Sequence, residues 1–376
     1  MSVTPTVLGA LRRFLPDFLE SGPPLSDAQR RAIWAITHCR TPAMGGRAFA
    51  CGDCHGVRFA WHSCNHKACP QCGRAATARW VQRELGKRVN APHFLVTFTL
   101  PAELRGCLHG PHAGKAHDLF FKAVAGSLSE KLAADKGLRA AVSGFTAVLH
   151  TWNQQLGFHP HIHCLVPGCG LDADGRWVRI KKPGFLLYLP HLQCAFRQHV
   201  YKLFRAHGWQ VDPAVWDKDW GVHVQPVGSG ASALKYLGAY VAKTAIGDSR
   251  IVAVTDDSVT FRWKNRAAGN RVETQTLPGV EFVRRYLRHV LPKGLRSIRY
   301  YGFCHPAAKA NRLRVQLHSG RVVDPGATHP APAPPAIAPL CPGCRQPMIH
   351  LLSLASPWRQ RGPPGPSATS CSPCAP

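Results

Sequence analysis

Acidic residues are scarce in this 376-residue chain: 20 Asp and Glu stand against 47 Lys and Arg, a formal charge of +27. The basic excess runs along the whole length and calls for a polyanionic partner, either nucleic acid or a membrane surface. Long apolar runs are also lacking. No stretch of about 18 apolar residues exists to cross a bilayer. Arg12 and Arg13 interrupt the apolar N-terminal segment, so it does not read as a secretory signal peptide. No membrane partner is expected, and a reducing bacterial cytoplasm, in association with the nucleoid, is the expected location. No Walker A or other glycine-rich phosphate loop appears, so no nucleotide cofactor, nucleotide hydrolysis or helicase activity is expected. Internal repeats are absent too. With 45% hydrophobic residues the chain is nevertheless rich enough to build a core and is not intrinsically disordered.

Cysteine is abundant, at 15 residues, and disulfides are not expected in a reducing compartment. Two CxxC pairs, Cys51/Cys54 and Cys69/Cys72, are separated by 14 residues. Each brings two thiols to one turn, and four thiolates close a tetrahedral structural Zn²⁺ site. Cys39, Cys64 and His66 are spare donors that could replace a ligand or bind a second ion. A thioredoxin-like redox pair is the weaker reading, because no βαβ pattern surrounds either motif. A second pair of knuckles, Cys341/Cys344 and Cys371/Cys374, spans a 26-residue gap containing Arg361–Ser367 (RGPPGPS) and is a possible second zinc site.

Four segments separate by composition. Residues 1–40 read as helical, with Leu25–Thr37 offering Ser26 or Asp27 as N-cap. Residues 41–90 hold the zinc-binding module, loop-rich up to residue 75, and a connecting helix. Residues 91–320 carry mixed helix and strand signals and the main core. Asp324–Leu340 (DPGATHPAPAPPAIAPL) is an extended Pro/Ala linker to residues 341–376. In the main segment, His93–Leu100 (HFLVTFTL), Phe145–Thr151 and His161–Val166 read as strands. Leu189–His207 and Ser232–Ile246 read as helices closed by Gly208 and Gly247. Val259–Lys264 and Arg271–Leu277 form an expected hairpin around Gly269-Asn270. The class is α+β with a central, mainly antiparallel sheet.

Two constellations carry chemistry. In His161-Ile162-His163 the two imidazoles project from the same face of a strand, a two-ligand platform for a divalent cation. His159 has the same parity. Two surface histidines on a half-buried strand would give the same spacing. On the second, Ser232–Ile246, the residues Leu234, Leu237, Val241 and Ala245 make one apolar stripe at helical periodicity. Tyr236, Tyr240 and Lys243 share a face away from it, with the two phenols about 120° from its centre. The phenols are therefore presented to a cleft or to solvent rather than to the core. Thr97 and Thr99 alternate on the strand HFLVTFTL and read as sheet core without catalytic need.

This order of a strand, a strand with HxH, then a helix with Tyr and Lys resembles the HUH single-strand endonucleases. The segments SCNHKACPQC (63–72), FLVTFTLP (94–101), HTWNQQLGFHPHIHCLVPG (150–168), ALKYLGAYVAKTAI (233–246) and EFVRRYLRHVLPKGLRSIRYYG (281–302) are similar to one branch. That branch is the rolling-circle insertion-sequence transposases with two active-site tyrosines, the IS ninety-one group. The resemblance covers about residues 30 to 305. It implies an HUH endonuclease-like central antiparallel sheet with flanking helices, preceded by a small zinc-binding module. It also implies that His161 and His163 bind the catalytic metal and that Tyr240 and Tyr236 are the nucleophiles. A third metal ligand is expected from elsewhere, Gln154 first, then His150 and His159. The pair Gly238-Ala239 departs from the larger, often basic residue expected between the tyrosines.

On that reading a metal-bound phosphodiester is attacked by a phenol, which conserves the bond energy as a 5′-phosphotyrosine and frees a 3′-OH. Lys243, one turn beyond Tyr240, favours the phenolate and makes Tyr240 the expected first nucleophile. Mixed nitrogen and oxygen ligation suits Mg²⁺ or Mn²⁺. Arg284, Arg285, Arg288, Lys293 and Arg296 form an expected DNA-backbone surface. The partners are single-stranded DNA at element termini and target DNA. Two other readings are an HUH replication initiator or relaxase, and a non-catalytic zinc-ribbon nucleic-acid binder.

Overall fold

The computed structural model describes residues 5–136, 138–241, 245–320 and 338–356. Lys243, Cys371, Cys374 and most of the Pro/Ala tract lie outside the described residues, and for Tyr240 only the helical backbone is described. None of the described helices is long and apolar enough to cross a membrane.

The chain opens with helices α1 (Val7–Ser21) and α2 (Asp27–His38). Ser26, not Asp27, caps α2: its side chain accepts from the Gln29 amide, and Gln29 Oε1 accepts from the Ser26 amide. Strands β1 (Gly46–Cys51) and β2 (Val57–Trp61) and helix α3 (Arg74–Lys87) follow. Next come β3 (His93–Thr99), α4 (Ala113–Ala134), β4 (Gly144–Trp152), β5 (Phe158–Pro167), β6 (Cys169–Leu171) and β7 (Trp177–Arg179). The next elements are α5 (Leu189–Ala206), β8 (Val222–Pro226), α6 (Ala231–Val241), β9 (Ile251–Val254), β10 (Ser258–Asn265) and β11 (Arg271–Pro278). The described chain closes with α7 (Gly279–Leu287), β12 (Ile298–Gly302), α8 (Lys309–His318) and β13 (Met348–Leu354).

The central sheet has five strands in the order β12-β4-β5-β3-β8, with every neighbouring pair antiparallel. Alternation along the strands gives its two faces different work. Phe94, Val96 and Phe98 of β3, Leu149 of β4 and Ile162 and Cys164 of β5 turn one way. They pack against Phe120 and Phe121 of α4 and Phe196 of α5. Burying each of these large side chains stabilises the fold by roughly 1.5–3 kcal/mol. On the opposite face Leu95, Val148 and Leu165 meet Leu234 and Leu237 of α6 and Trp80 of α3. The same face carries the histidines, farther along the strands.

Helix α6 is held by the first part of its predicted stripe: Leu234 and Leu237 are buried, whereas Tyr236 is 37% exposed. The helix does not reach Ile246 as expected: α6 runs to Val241, residues 245 and 246 are not helical, and Ala245 is buried in a separate cluster. Gly238 has a packing reason. A Cβ there would lie 2.2 Å from Val81 Cγ2 on α3, so the two helices approach too closely for any side chain. The larger residue expected between the tyrosines would force α3 away. Gly238→Lys is expected to destabilise the protein by about 1–3 kcal/mol, read as a lowered thermal midpoint; an unchanged midpoint would show that α3 moves freely.

The cysteines group differently from the expectation based on adjacent motifs. Cys51, Cys54, Cys69 and Cys72 do not form one site. Cys69 and Cys72 join Cys39 and Cys64, whereas Cys51 and Cys54 join Cys341 and Cys344. The cause is strand pairing. β1 lies between β2 and β13, and Cys51 pairs in register with Met348, which brings the 341–344 turn beside the 51–54 turn. Meanwhile the end of α2 delivers Cys39 to the loop that holds Cys64, Cys69 and Cys72. Neighbouring Sγ atoms are 3.6 and 3.7 Å apart in the first cluster and 3.3, 3.4 and 3.7 Å in the second. Four sulfurs 2.3 Å from a tetrahedral Zn²⁺ lie about 3.8 Å apart.

Ionisation within each cluster is uneven. Hydrogen bonding from Cys64 pulls Cys69 down to about 5, and the same contact together with burial pushes Cys64 far up. Backbone amides pull Cys341 down to about 6, and the contact with Cys51 contributes to raising Cys344 to about 12. Crowded thiols of this kind ionise together only against a dication. The purified protein is expected to hold two zinc ions per chain and Cys341→Ser to hold one. One ion in the wild type, retained by Cys341→Ser, would restore the grouping of Cys51 and Cys54 with Cys69 and Cys72.

Candidate active site

The sheet register builds the site. His161 and His163 occupy alternate positions of the central strand β5, and Ile162 between them is fully buried in the core on the other face. On one side β4 pairs His150 directly with His161, and on the other β3 pairs Thr97 with His163 and Thr99 with His161. Three imidazoles thereby meet. Their candidate donor nitrogens all lie within 4.8 Å of one another, and the ring of His150 is 5.1 Å from that of His161 and 4.5 Å from that of His163.

One hydrogen bond sets the tautomer of His161, and a second contacts His163. His161 Nδ1–H donates to the His159 carbonyl at 2.7 Å, which leaves the Nε2 lone pair available. His163 Nδ1 lies 2.8 Å from Thr97 Oγ1, so with that nitrogen donating, Nε2 again presents its lone pair. His163 Nε2 is buried with no hydrogen-bond partner, a costly arrangement that a bound cation relieves. Burial holds His161 down to about 4 and His163 to about 3, and holds His150 well below the usual imidazole range. At neutral pH all three rings are uncharged, the form that binds metal. The donor set therefore fits a divalent cation.

The triad forms one wall of a cleft of about 850 Å³. Gln154 and His159 line it, but the ring that completes the histidine cluster is that of His150, the second choice in the sequence. Tyr236 faces it from α6, its ring 5.9 Å from that of His163 and nearly perpendicular to it. Trp263, Lys264 and Arg266, from the end of β10 and the turn after it, line the remaining side and supply cations and an aromatic surface.

Sequence reasoning passed over Thr97 and the β10 residues. The alternation of Thr97 and Thr99 was visible, but only the register of β3 on β5 shows that Thr97 meets His163. The expected basic surface also changes. Arg284 and Arg285 both bond Glu281, whose carboxyl the Arg284 guanidinium draws down to about 2. Arg285 also donates to the Gln155 carbonyl. These two arginines hold α7 and its neighbouring loop, whereas Lys293 and Arg296 line a separate cavity. Thr97→Val, which keeps the shape and removes the hydroxyl, is expected to weaken Mn²⁺ binding about 10- to 100-fold; calorimetric titration showing wild-type affinity would remove Thr97 from the site.

Comparison with known proteins places these features in a family. A family described as putative transposase matches residues 144–312, and one described as transposase zinc-binding domain matches residues 10–100. The chain is 37% identical over 335 residues to a putative transposase of Sinorhizobium fredii, covering 83% of this chain and 82% of that one. It is 26% identical over 322 residues to the transposase for insertion sequence element IS801 of Pseudomonas savastanoi, covering 81% and 77%. A structure of TrwC bound to a 27-mer DNA overlays on 31% of this chain and 45% of that one at 13% identity, with a TM-score of 0.25, which does not by itself establish a shared fold. The identity over four-fifths of both chains, together with the matched zinc-binding segment, shows that the protein belongs to a family of transposases of the IS ninety-one type with an N-terminal zinc-binding domain.

Proposed function

We propose that this transposase nicks and rejoins single-stranded DNA by tyrosine attack on a phosphate held at His150, His161 and His163, as in rolling-circle transposition. The observation that carries this reading is the placement of Tyr236, whose ring rests against His163 in a cleft that also holds the other two histidines. A divalent cation at the three imidazoles supplies Lewis-acid polarisation of the scissile phosphate. Three neutral nitrogens suit Mn²⁺ better than Mg²⁺, which prefers oxygen ligands, although Gln154 on the cleft wall offers one oxygen.

The residues of the chain do the rest. The Tyr236 phenol loses its proton, its oxygen attacks phosphorus, and the 3′ oxygen leaves and takes up a proton. The products are a 5′-phosphotyrosine and a free 3′-OH. Lys264 and Arg266 screen the strand's phosphates, and Trp263 offers a stacking surface to a base. Tyr240 stands about one helical turn along α6, about 6 Å away along the axis, and is the second nucleophile. In place of the order expected from Lys243, Tyr236 is assigned the first attack, on the support of its ring lying 5.9 Å from that of His163. Single-stranded DNA at the element's ends and at its target is the substrate. Transposition rather than replication initiation is favoured by the zinc-binding segment that precedes the sheet.

Tyr236→Phe is expected to lose the covalent protein–DNA adduct formed with a labelled single-stranded element terminus and Mn²⁺ on a denaturing gel. Tyr240→Phe should form the adduct and fail to complete strand transfer. Adduct at normal yield from the double Phe variant would end the tyrosine mechanism. His163→Ala should abolish cleavage while single-strand affinity, carried by Lys and Arg, stays nearly intact and falls steeply with salt; cleavage at the wild-type rate would remove the metal from the reaction.

A further inference from the structure

A second cavity of about 670 Å³, within the usual range for ligand pockets, opens where α2, the 64–68 cysteine loop, α7 and the 290–297 segment meet the end of β4. Its walls are apolar, built from residues such as Leu149, Leu291 and Leu295. Among the described residues no carboxylate lines it. Four cations do, Arg31, Lys67, Lys293 and Arg296, and among the described residues none of them is in an ion pair. Lys67 donates to the Ser297 hydroxyl at 3.4 Å. An apolar chamber with a cationic, acid-free lining suits a flat, apolar-faced group that carries a phosphate.

Its position identifies the source of that group. Trp152, the last residue of β4, lines both this cavity and the catalytic cleft. Its ring stacks on His150 of the triad, 5.7 Å away, and meets His289 edge-on at 5.8 Å. His289 is fixed by Thr151 Oγ1 and the Leu156 carbonyl, each at 3.2 Å. Among the described residues, Trp152 is the one lining residue that the cleft and the second chamber share, so the two lie next to each other.

We propose that this cavity binds one unstacked nucleotide of the DNA strand whose scissile phosphate lies at the triad. The base enters between Trp152 and the leucines, and its flanking phosphates meet Lys293, Arg296, Lys67 and Arg31. The cysteine loop that holds Cys64 forms one wall, so the zinc module contributes directly to strand recognition. This rests on single-stranded DNA being the substrate.

The test is an abasic scan of a single strand carrying the element terminus, with affinity measured by fluorescence anisotropy. Removing the base at one or two adjacent positions is expected to weaken binding to the wild type roughly tenfold or more. Ala28→Trp, which fills the chamber from the half-exposed start of α2, should bind the intact strand as weakly as the wild type binds the abasic one, and should be indifferent to the lesion. The pair Lys293→Ala and Arg296→Ala should flatten the salt dependence. Normal zinc content certifies that the variants are folded. Equal sensitivity to the lesion in Ala28→Trp and wild type, or no position-dependent loss in the wild type, overturns the pocket while leaving the transposase reading intact. A wild type that neither binds nor cleaves the strand overturns both.

Discussion

Three imidazoles removed from water on one face of an antiparallel sheet are the constraint around which this protein is arranged. Burial makes them neutral, and cross-strand pairing makes them converge: His150 beside His161 across β4 and β5, Thr97 beside His163 across β3 and β5. A slip of one residue in either pairing would turn a histidine into the phenylalanine core. The dense packing behind Ile162 therefore fixes the register that assembles the site. The opposing helix α6 is held at the correct height by Leu234 and Leu237 and by the close approach of α3 at Gly238, and this brings Tyr236 to the histidines.

The two cysteine clusters extend this logic to the ends of the chain. One ties α2 to the loop before α3, and that loop forms a wall of the second cavity. The other ties the 51–54 turn to the 341–344 turn, across almost the whole sequence, and β13 completes the sheet begun by β1 and β2. Helix α1 packs along α7, where Gly279 admits the ring of Phe14. The segments that look separate by composition are thus interleaved in space.

What could be read from the sequence was governed by local periodicity. The strand through HxH, the helix carrying both tyrosines and the burial of Leu234 and Leu237 on it follow from spacings of two or about 3.6 residues, and the hairpin follows from the Gly269-Asn270 turn between two strand runs. What could not be read was long-range. CxxC spacing says that two thiols share a turn, and nothing in it says which turns meet; strand β13 decides that. Likewise His150 stood behind Gln154 until the β4–β5 register placed it beside His161, and Thr97 looked like ordinary sheet core until β3 was paired with β5. The arginines of α7 read as free charge because Glu281, three and four residues away, was not weighed as their partner.

The central claim is that the histidine cluster is a metal site that holds the phosphate in front of Tyr236. Anomalous diffraction from crystals of the protein with Mn²⁺ and a single-stranded oligonucleotide tests it directly. The account predicts a manganese peak within coordination distance of Nε2 of His161 and His163, with a ring nitrogen of His150 as third donor and a DNA phosphate oxygen completing the contact toward Tyr236. Manganese found elsewhere, with the three imidazoles bare while DNA occupies the cleft, would contradict it.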